Sequence, residues 1–269
     1  MAIESTSDFV RMTRGAIAAA GFARREVGGT VYWASESAVG SRRSAVVLVH
    51  GANDQAGTWF AVAPRLAQEH YVILPDLAGH GESAPMEGPI PISLIVSRLE
   101  AVIDEAAPDE RVTLVGNSLG GWISMLYALK HPERVERLVL EASGGLSRPL
   151  AVPIVAHTRE EAIPILRAVH GPNYEPQEWV IEALLQRAHG SPMLRLTELV
   201  EHDIEPRLGE LTPPATLIWG ADDGVLPLSY AEALRDAIPN AALHVIEGAA
   251  HIPHMQQPER FLQCLTAIS

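Results

Sequence analysis

Residues Ala45–Val49 read AVVLV, apolar at every position and rich in valine. A strand with one wet face alternates apolar and polar residues. One that is apolar throughout has both faces covered, which requires a sheet with helices on either side. The rest of the chain supplies such helices. Helical spacing over residues 58–69 leads to an apolar run at 71–74, spacing over 91–107 to a run at 111–115, and spacing over 118–130 to a run at 135–140. Strands alternating with helices of ten or more residues predict a mostly parallel α/β sheet with right-handed crossovers. Ahead of it, residues 22–27 and 30–34 flank Gly28-Gly29 and predict a hairpin.

The alternation breaks at Ser143-Gly144-Gly145 and resumes with the apolar run 214–219, a helix at 228–238, a strand at 242–246 and a closing helix at 258–268. Between the two parts, helical segments at 158–169, 176–188 and 193–201 are punctuated by prolines, among them Pro164, Pro172 and Pro192. This predicts a core of residues 1–144 and 211–269 carrying a small helical cap at 145–210.

Charge and cysteine content narrow the partners. A formal net charge of -13 with no basic stripe argues against nucleic acid; Arg11 with Arg14, and Arg42 with Arg43, read as solvated surface. The single Cys264 rules out an internal disulfide. The apolar run at 15–23 is short and is followed at once by Arg24 and Arg25, so it reads as a helix and turn rather than an export signal. No stretch approaches the ~20 apolar residues of a spanning helix. The expectation is a cytoplasmic monomer or homodimer without a cofactor, acting on a small molecule.

The chemistry centres on Gly116-Asn117-Ser118-Leu119-Gly120, which fits G-x-S-x-G. Three fixed positions carry little weight alone. Here the motif follows an apolar strand and precedes a helical run, the strand–turn–helix setting that lifts a serine hydroxyl clear of a sheet. The bland alternative is a serine that only caps the helix. A serine nucleophile needs a base, and the base needs an orienting acid. His251 follows the strand at 242–246, and Asp222 and Asp223 follow the strand at 214–219, so all lie in loops beyond strand carboxyl ends, where ligands bind. The order serine, acid, histidine suits this architecture. His254 beside His251 suggests a metal pair, but a tetrahedral site wants more ligands than these two, so no metal is expected.

An oxyanion formed at the substrate carbonyl would be met by the N–H of Leu119, which follows the serine, and by that of Ala52 in the loop His50-Gly51-Ala52-Asn53. His50 sits too near its strand end to be the base and reads as a residue that shapes the loop. Asn53, Asn117, Trp122, Met193, Leu226 and Ile252 are expected pocket-lining positions. The piece DLAGHGES at 76–83 lacks the lysine and length of a phosphate loop and reads as loop-shaping.

Taken together, VLVHGAND (47–54), DLAGHGES (76–83), GNSLGGW (116–122), WGADDGVLP (219–227) and GAAHIPHMQQPERF (248–261) resemble the α/β-hydrolase superfamily over nearly the whole chain. The resemblance implies an α/β-hydrolase fold, with a mostly parallel eight-stranded sheet and a helical cap. In the pattern W-G-x-x-D-x-x-x-P it assigns the acid to Asp223, and in G-x-x-H-x-x-H-x-x-x-P the base to His251. Ser118 argues against haloalkane dehalogenases and epoxide hydrolases, whose nucleophile is an aspartate. G-N-S-x-G-G with the later SGGL at 143–146 is similar to hydrolases that cleave carbon–carbon bonds in ring-fission products. Many of those carry a tryptophan after the histidine and a more glycine-rich oxyanion loop, where this chain has Ile252 and Ala52. The sequence expectation is therefore a serine esterase of the carboxylesterase type. Carbon–carbon hydrolysis is the alternative, and a non-catalytic ligand-binding member of the fold the second.

Overall fold

The computed structural model describes residues 3–36 and 44–266. Arg42 and Arg43 lie outside them. Among the described residues ten strands are formed: β1 (Ala23–Val27), β2 (Thr30–Ala34), β3 (Ala45–Val49), β4 (Tyr71–Pro75), β5 (Ile90–Pro91), β6 (Val112–Asn117), β7 (Val135–Glu141), β8 (Leu196–Thr197), β9 (Ala215–Gly220) and β10 (Ala242–Ile246). The α-helices are α1 (Thr6–Ala19), α2 (Ala63–Leu66), α3 (Ile92–Ala106), α4 (Leu119–Lys130), α5 (Arg159–His170), α6 (Glu178–Arg187), α7 (Leu228–Ala237), α8 (Pro253–Gln256) and α9 (Pro258–Thr266).

Eight strands make one mixed sheet in the order β1-β2-β4-β3-β6-β7-β9-β10. The hairpin β1–β2 and the β2–β4 pair are antiparallel, and the other neighbours run parallel. β3 sits between β4 and β6 with all five residues buried, as its composition requires. Its side chains alternate between two cores. Val47 and Val49 pack with Leu99 of α3, Ile123 of α4 and Leu234 of α7. Val46 and Leu48 pack with Ile17 of α1, Trp59 and Phe261 of α9. Truncating a fully buried leucine such as Leu48 to alanine in so closed a layer costs about 2–5 kcal/mol.

The cap between β7 and β9 has its own small core, in which Ile165 and Leu166 of α5 meet Ile181 and Leu184 of α6. α5 starts on a T-x-x-E signal. Thr158 Oγ1 accepts from the Glu161 N–H at 3.3 Å, and the Glu161 carboxylate accepts from the His157 N–H at 2.8 Å. At its far side the cap is moored to the core. Ile90 pairs with Leu196, and the Arg195 guanidinium donates to the carbonyls of Pro85, Met86 and Gly88.

Two helices expected from spacing take other forms. Residues 58–69 divide into a 3₁₀ turn, Ala56–Ala61, and the short α2, because Pro64 lacks the N–H a continuous helix needs and instead starts a new one. Residues 193–201 form a 3₁₀ turn, Pro192–Arg195, and then β8. Leu196 is drawn into pairing with Ile90, and Glu198 adopts φ 64°, outside the right-handed helical region. Among the described residues no helix is long and apolar enough to cross a membrane.

Candidate active site

Ser118 lies between the end of β6 and the start of α4, with φ 51° and ψ -113°. A non-glycine residue at positive φ is strained and persists only where its surroundings hold it. They do so here through the backbone. The Ser118 N–H donates to Glu141 O at 3.0 Å, while Ser118 O accepts from Gly121 and Gly144 at 3.1 Å each. The turn also needs its glycines. A Cβ on Gly116 would stand 2.5 Å from the Gly120 carbonyl, and one on Gly120 would stand 2.2 Å from Val49 O. The side chain makes no capping hydrogen bond to α4. Its hydroxyl is therefore not occupied as a helix cap.

Of the two neighbouring aspartates, Asp222 is exposed and Asp223 is buried. Asp223 Oδ1 accepts the Val225 and Leu226 N–H groups at 2.9 Å each, and Oδ2 meets His251 Nδ1 at 2.9 Å. Fixed on three sides, this carboxylate holds the proton of a neutral imidazole on Nδ1 and leaves Nε2 with the lone pair. The histidine loop is tied to the serine turn, for Asn117 Nδ2 donates to His251 O at 3.1 Å. Asn117 is 3% exposed, so its amide bridges the two loops instead of lining open space.

The loop after β3 closes against this turn. A Cβ on Gly51 would lie 2.6 Å from Asn117 Oδ1 and 3.3 Å from Ser118 Cβ. Glycine at 51, next to Ala52, thus permits the close approach of this loop to the serine turn, while the Leu119 N–H is the first of the free donors at the start of α4. His50 has no spare nitrogen, because Nδ1 bonds Gly51 O at 2.7 Å and Nε2 accepts from the Leu77 N–H at 2.9 Å. DLAGHGES shapes its loop: buried Asp76 accepts from Ala56 and Glu82 N–H groups and from Arg14.

The remaining expected lining positions separate into two groups. Asn53, Trp122 and Met193 are half-buried and lie where core meets cap. Asn53 Oδ1 accepts from Ser191, Trp122 donates to His202 O at 3.3 Å, and the Met193 N–H donates to Ser191 Oγ at 3.1 Å. Leu226 and Ile252 are buried at 2% and 9% exposure, Leu226 within the main core and Ile252 at the start of α8.

Three features were not anticipated. Arg187, at the end of α6, donates to Asn53 O at 3.4 Å. Burial lowers its pKa from the usual range, with Asp54 opposing, and among the described residues no carboxylate lies within ion-pair distance. Only its i+3 spacing from Leu184 hinted at this, and that is a weak signal for an arginine in a last helical turn. His170, at the end of α5, stacks on Tyr174 at 4.3 Å; burial, then the charges of Arg187 and His251, pushes it down to about 4. Beneath the site, the fully buried Glu141 carboxylate bonds His254 Nδ1 at 2.8 Å and the His254 N–H at 2.7 Å, while Nε2 meets Thr58 Oγ1 at 3.1 Å. His254 is committed to that network, and among the described residues no metal-binding cluster is formed.

His80 gives a stability prediction. It is 2% exposed with Nε2 lacking a hydrogen-bond partner, and burial, aided by the His50 ring, pushes it down to about 3. Between the unfolded value and that one, the unfolded chain binds a proton that the folded chain cannot. Stability attributable to His80 is therefore lost as pH falls from about 6.5 toward 3, by about 2 kcal/mol at pH 5 relative to pH 8. Urea unfolding at the two pH values is expected to show a drop that is smaller by that amount in His80→Leu. Equal drops in both proteins would contradict the assignment.

A serine at a strained strand–helix turn and a carboxylate-bound histidine, on a mostly parallel sheet under a cap, define an enzyme of the serine-hydrolase type. The chain belongs to the Alpha/beta hydrolase family, whose profile matches residues 46–263. It is similar to a 2-hydroxy-6-oxononadienedioate/2-hydroxy-6-oxononatrienedioate hydrolase of Cupriavidus pinatubonensis, 29% identical over 82% of this chain and 85% of that protein. It is also similar to a 2-hydroxy-6-oxo-6-phenylhexa-2,4-dienoate hydrolase of Burkholderia cepacia, 27% identical over 81% of this chain and 84% of that one. Among solved structures, a meta-cleavage product hydrolase from Pseudomonas fluorescens matches with a TM-score of 0.74 at 21% identity, over 92% of this chain and 98% of that one, a likeness of fold.

These relatives correct the sequence expectation of a serine esterase or carboxylesterase. Five curated relatives, 26–29% identical, are named as hydrolases of 2-hydroxy-6-oxo dienoates, dienedioates or trienedioates, and none of these five as an esterase. That expectation rested on Ile252 and Ala52. In the structure Ile252 is a buried residue at the start of α8.

Proposed function

We propose that this enzyme hydrolyses a carbon–carbon bond in a vinylogous diketone acid of the kind produced by aromatic ring fission. The observation that carries the reading, beside the named relatives, is Arg187: a half-buried guanidinium next to Asn53 whose pKa burial lowers, which feels the charge of Asp54 but, among the described residues, has no carboxylate within ion-pair distance. Such a group calls for an anionic ligand, and a dienoate has a carboxylate to offer. A carbon leaving group also needs somewhere to put its electrons. In the 2-oxo tautomer of the substrate, the conjugated keto acid accepts them as a dienolate, whose charge a nearby guanidinium stabilises.

In this mechanism His251, oriented by Asp223, takes the Ser118 proton as Oγ attacks the distal ketone. The N–H groups of Ala52 and Leu119 hold the tetrahedral oxyanion. Collapse breaks the carbon–carbon bond, the electron pair passes into the keto acid, and the His251 proton is delivered to it. Water then attacks the acyl-enzyme through the same base, releasing a carboxylic acid. The boundary near residues 144 and 211 between core and cap belongs to this reading, with the cap supplying Arg187 and the core supplying the serine.

The test is direct. Purified protein is mixed with 2-hydroxy-6-oxo-6-phenylhexa-2,4-dienoate, and loss of the dienoate chromophore is followed with product analysis. Stoichiometric benzoate is expected. Absence of turnover on aryl, alkyl and carboxyalkyl dienoates alike would reject the reading.

A further inference from the structure

The end of α5 is joined to the active-site loops in a way that neither the sheet nor the proposed reaction requires. A helix leaves its last four carbonyls without intrahelical partners, and water or a local turn usually satisfies them. Here only Arg167 O is satisfied locally, by the Gly171 N–H at 2.8 Å. The next three reach across to the core. Ala168 O accepts from the Gly224 N–H at 3.0 Å, Val169 O from the His251 N–H at 3.1 Å, and His170 O from Gln256 Nε2 at 2.7 Å. Gly224 directly follows Asp223. Gln256 faces both ways, since its Oε1 accepts from the N–H of Ala250, the residue before His251, at 2.7 Å.

The fit is close as well as bonded. A Cβ on Gly224 would stand 2.7 Å from Ala168 Cα, so only a residue without a side chain allows the acid loop to meet the helix. Three successive carbonyls of one helix end thus hold both the acid loop and the histidine loop. Helix α5 is itself fixed to α6 through the cap core. The negative end of its dipole faces a histidine that becomes positive during turnover.

We propose that the C-terminal end of α5 is a positioning element for the Asp223–His251 pair, with Gln256 as the side chain that closes the joint. The cap then does more than cover the substrate: its docking places the base over Ser118. Gln256 and Gly224 act through His251 and Asp223 and are positioning residues, not catalytic ones. The proposal rests on the reading of Ser118 as nucleophile and His251 as its base.

A fluorophosphonate probe tests it on the full-length protein, because the probe reports activation of Ser118 without needing the natural substrate. Gln256→Glu at pH 8 keeps an acceptor for Ala250 but faces His170 O with a second acceptor, and Gly224→Ala pushes the acid loop from α5. Displacements of about 1 Å cost on the order of 100-fold in rate. Each variant is expected to lower the maximal labelling rate at least about tenfold while the half-saturating probe concentration stays within about twofold, a split that general loosening would not produce. Gln257→Met is the control, since its amide reaches Gly248 O at 3.4 Å on the exposed side. Circular dichroism checks folding, and if Gly224→Ala is unfolded, Gln256→Glu decides alone. Wild-type labelling rates in folded Gln256→Glu overturn the joint but leave the nucleophile standing. A folded wild-type protein that does not label overturns the nucleophile, and the joint with it.

Discussion

Ser118→Ala is expected to lower kcat on a ring-fission dienoate by about 10⁴-fold or more while leaving the protein folded. The size follows from what is lost: removing the attacking atom of a serine, histidine and acid set leaves only binding and oxyanion stabilisation to act on the substrate. Stability is spared for a local reason. The strained turn is held by the backbone of Ser118 and by glycines 116 and 120, and its hydroxyl makes no capping bond that alanine would forfeit. Single-turnover kinetics and a thermal melt on the same preparation check both halves. Wild-type turnover in a folded Ser118→Ala protein would remove the nucleophile from the mechanism.

Arg187→Met should have the second largest effect. Losing a charge-assisted contact to a desolvated carboxylate costs about 2–5 kcal/mol, or roughly 30- to 5,000-fold in kcat/KM. The loss is expected mainly in KM, with a further fall in kcat to the extent that the guanidinium stabilises the dienolate. A pair of substrates isolates the charge. Wild type should prefer the free acid over its methyl ester, and that preference should collapse in the variant. The variant should melt no lower than wild type, since burial disfavours the unpaired Arg187 cation and methionine relieves that cost. An undiminished preference for the free acid would show that the carboxylate binds elsewhere.

Features written into side chains were legible before the fold was known. The valine-rich β3, the alternation of strands and helices, and the glycines about Ser118 each state a local physical demand, and the structure meets them. Asp222, Asp223 and His251 were legible as residues that follow strands, and the choice of Asp223 over Asp222 came from the resemblance to W-G-x-x-D-x-x-x-P and not from the strand pattern. What escaped was of another kind. Arg187 sits on an amphipathic helix, where an arginine usually points to water, and only the structure shows this one half-buried with its guanidinium reaching Asn53 O. Asn117 was expected to line the pocket. Its amide is used to hold the His251 carbonyl, and a sequence does not say which way an amide turns. The 168–170 joint uses backbone carbonyls, which every residue has, so it leaves no mark in the residue pattern. The bond to be broken was misread because Ile252 and Ala52 were weighed above G-N-S-x-G-G and SGGL, the motifs that pointed to carbon–carbon hydrolases.

The Gln256 bridge and the Val169 bond to His251 also bear on when the enzyme becomes active during its own synthesis. Chains emerge N-terminus first, and early segments can fold as they appear. Strands β3, β4, β6 and β7, with the serine turn complete, precede the cap, and the cap precedes the acid and histidine loops it contacts. With Ser118 read as the nucleophile, a nascent chain has it long before His251. On the reading of His251 as the base, it arrives after the α5 carbonyls that hold its loop, so a chain halted before residue 251 carries the serine without its base.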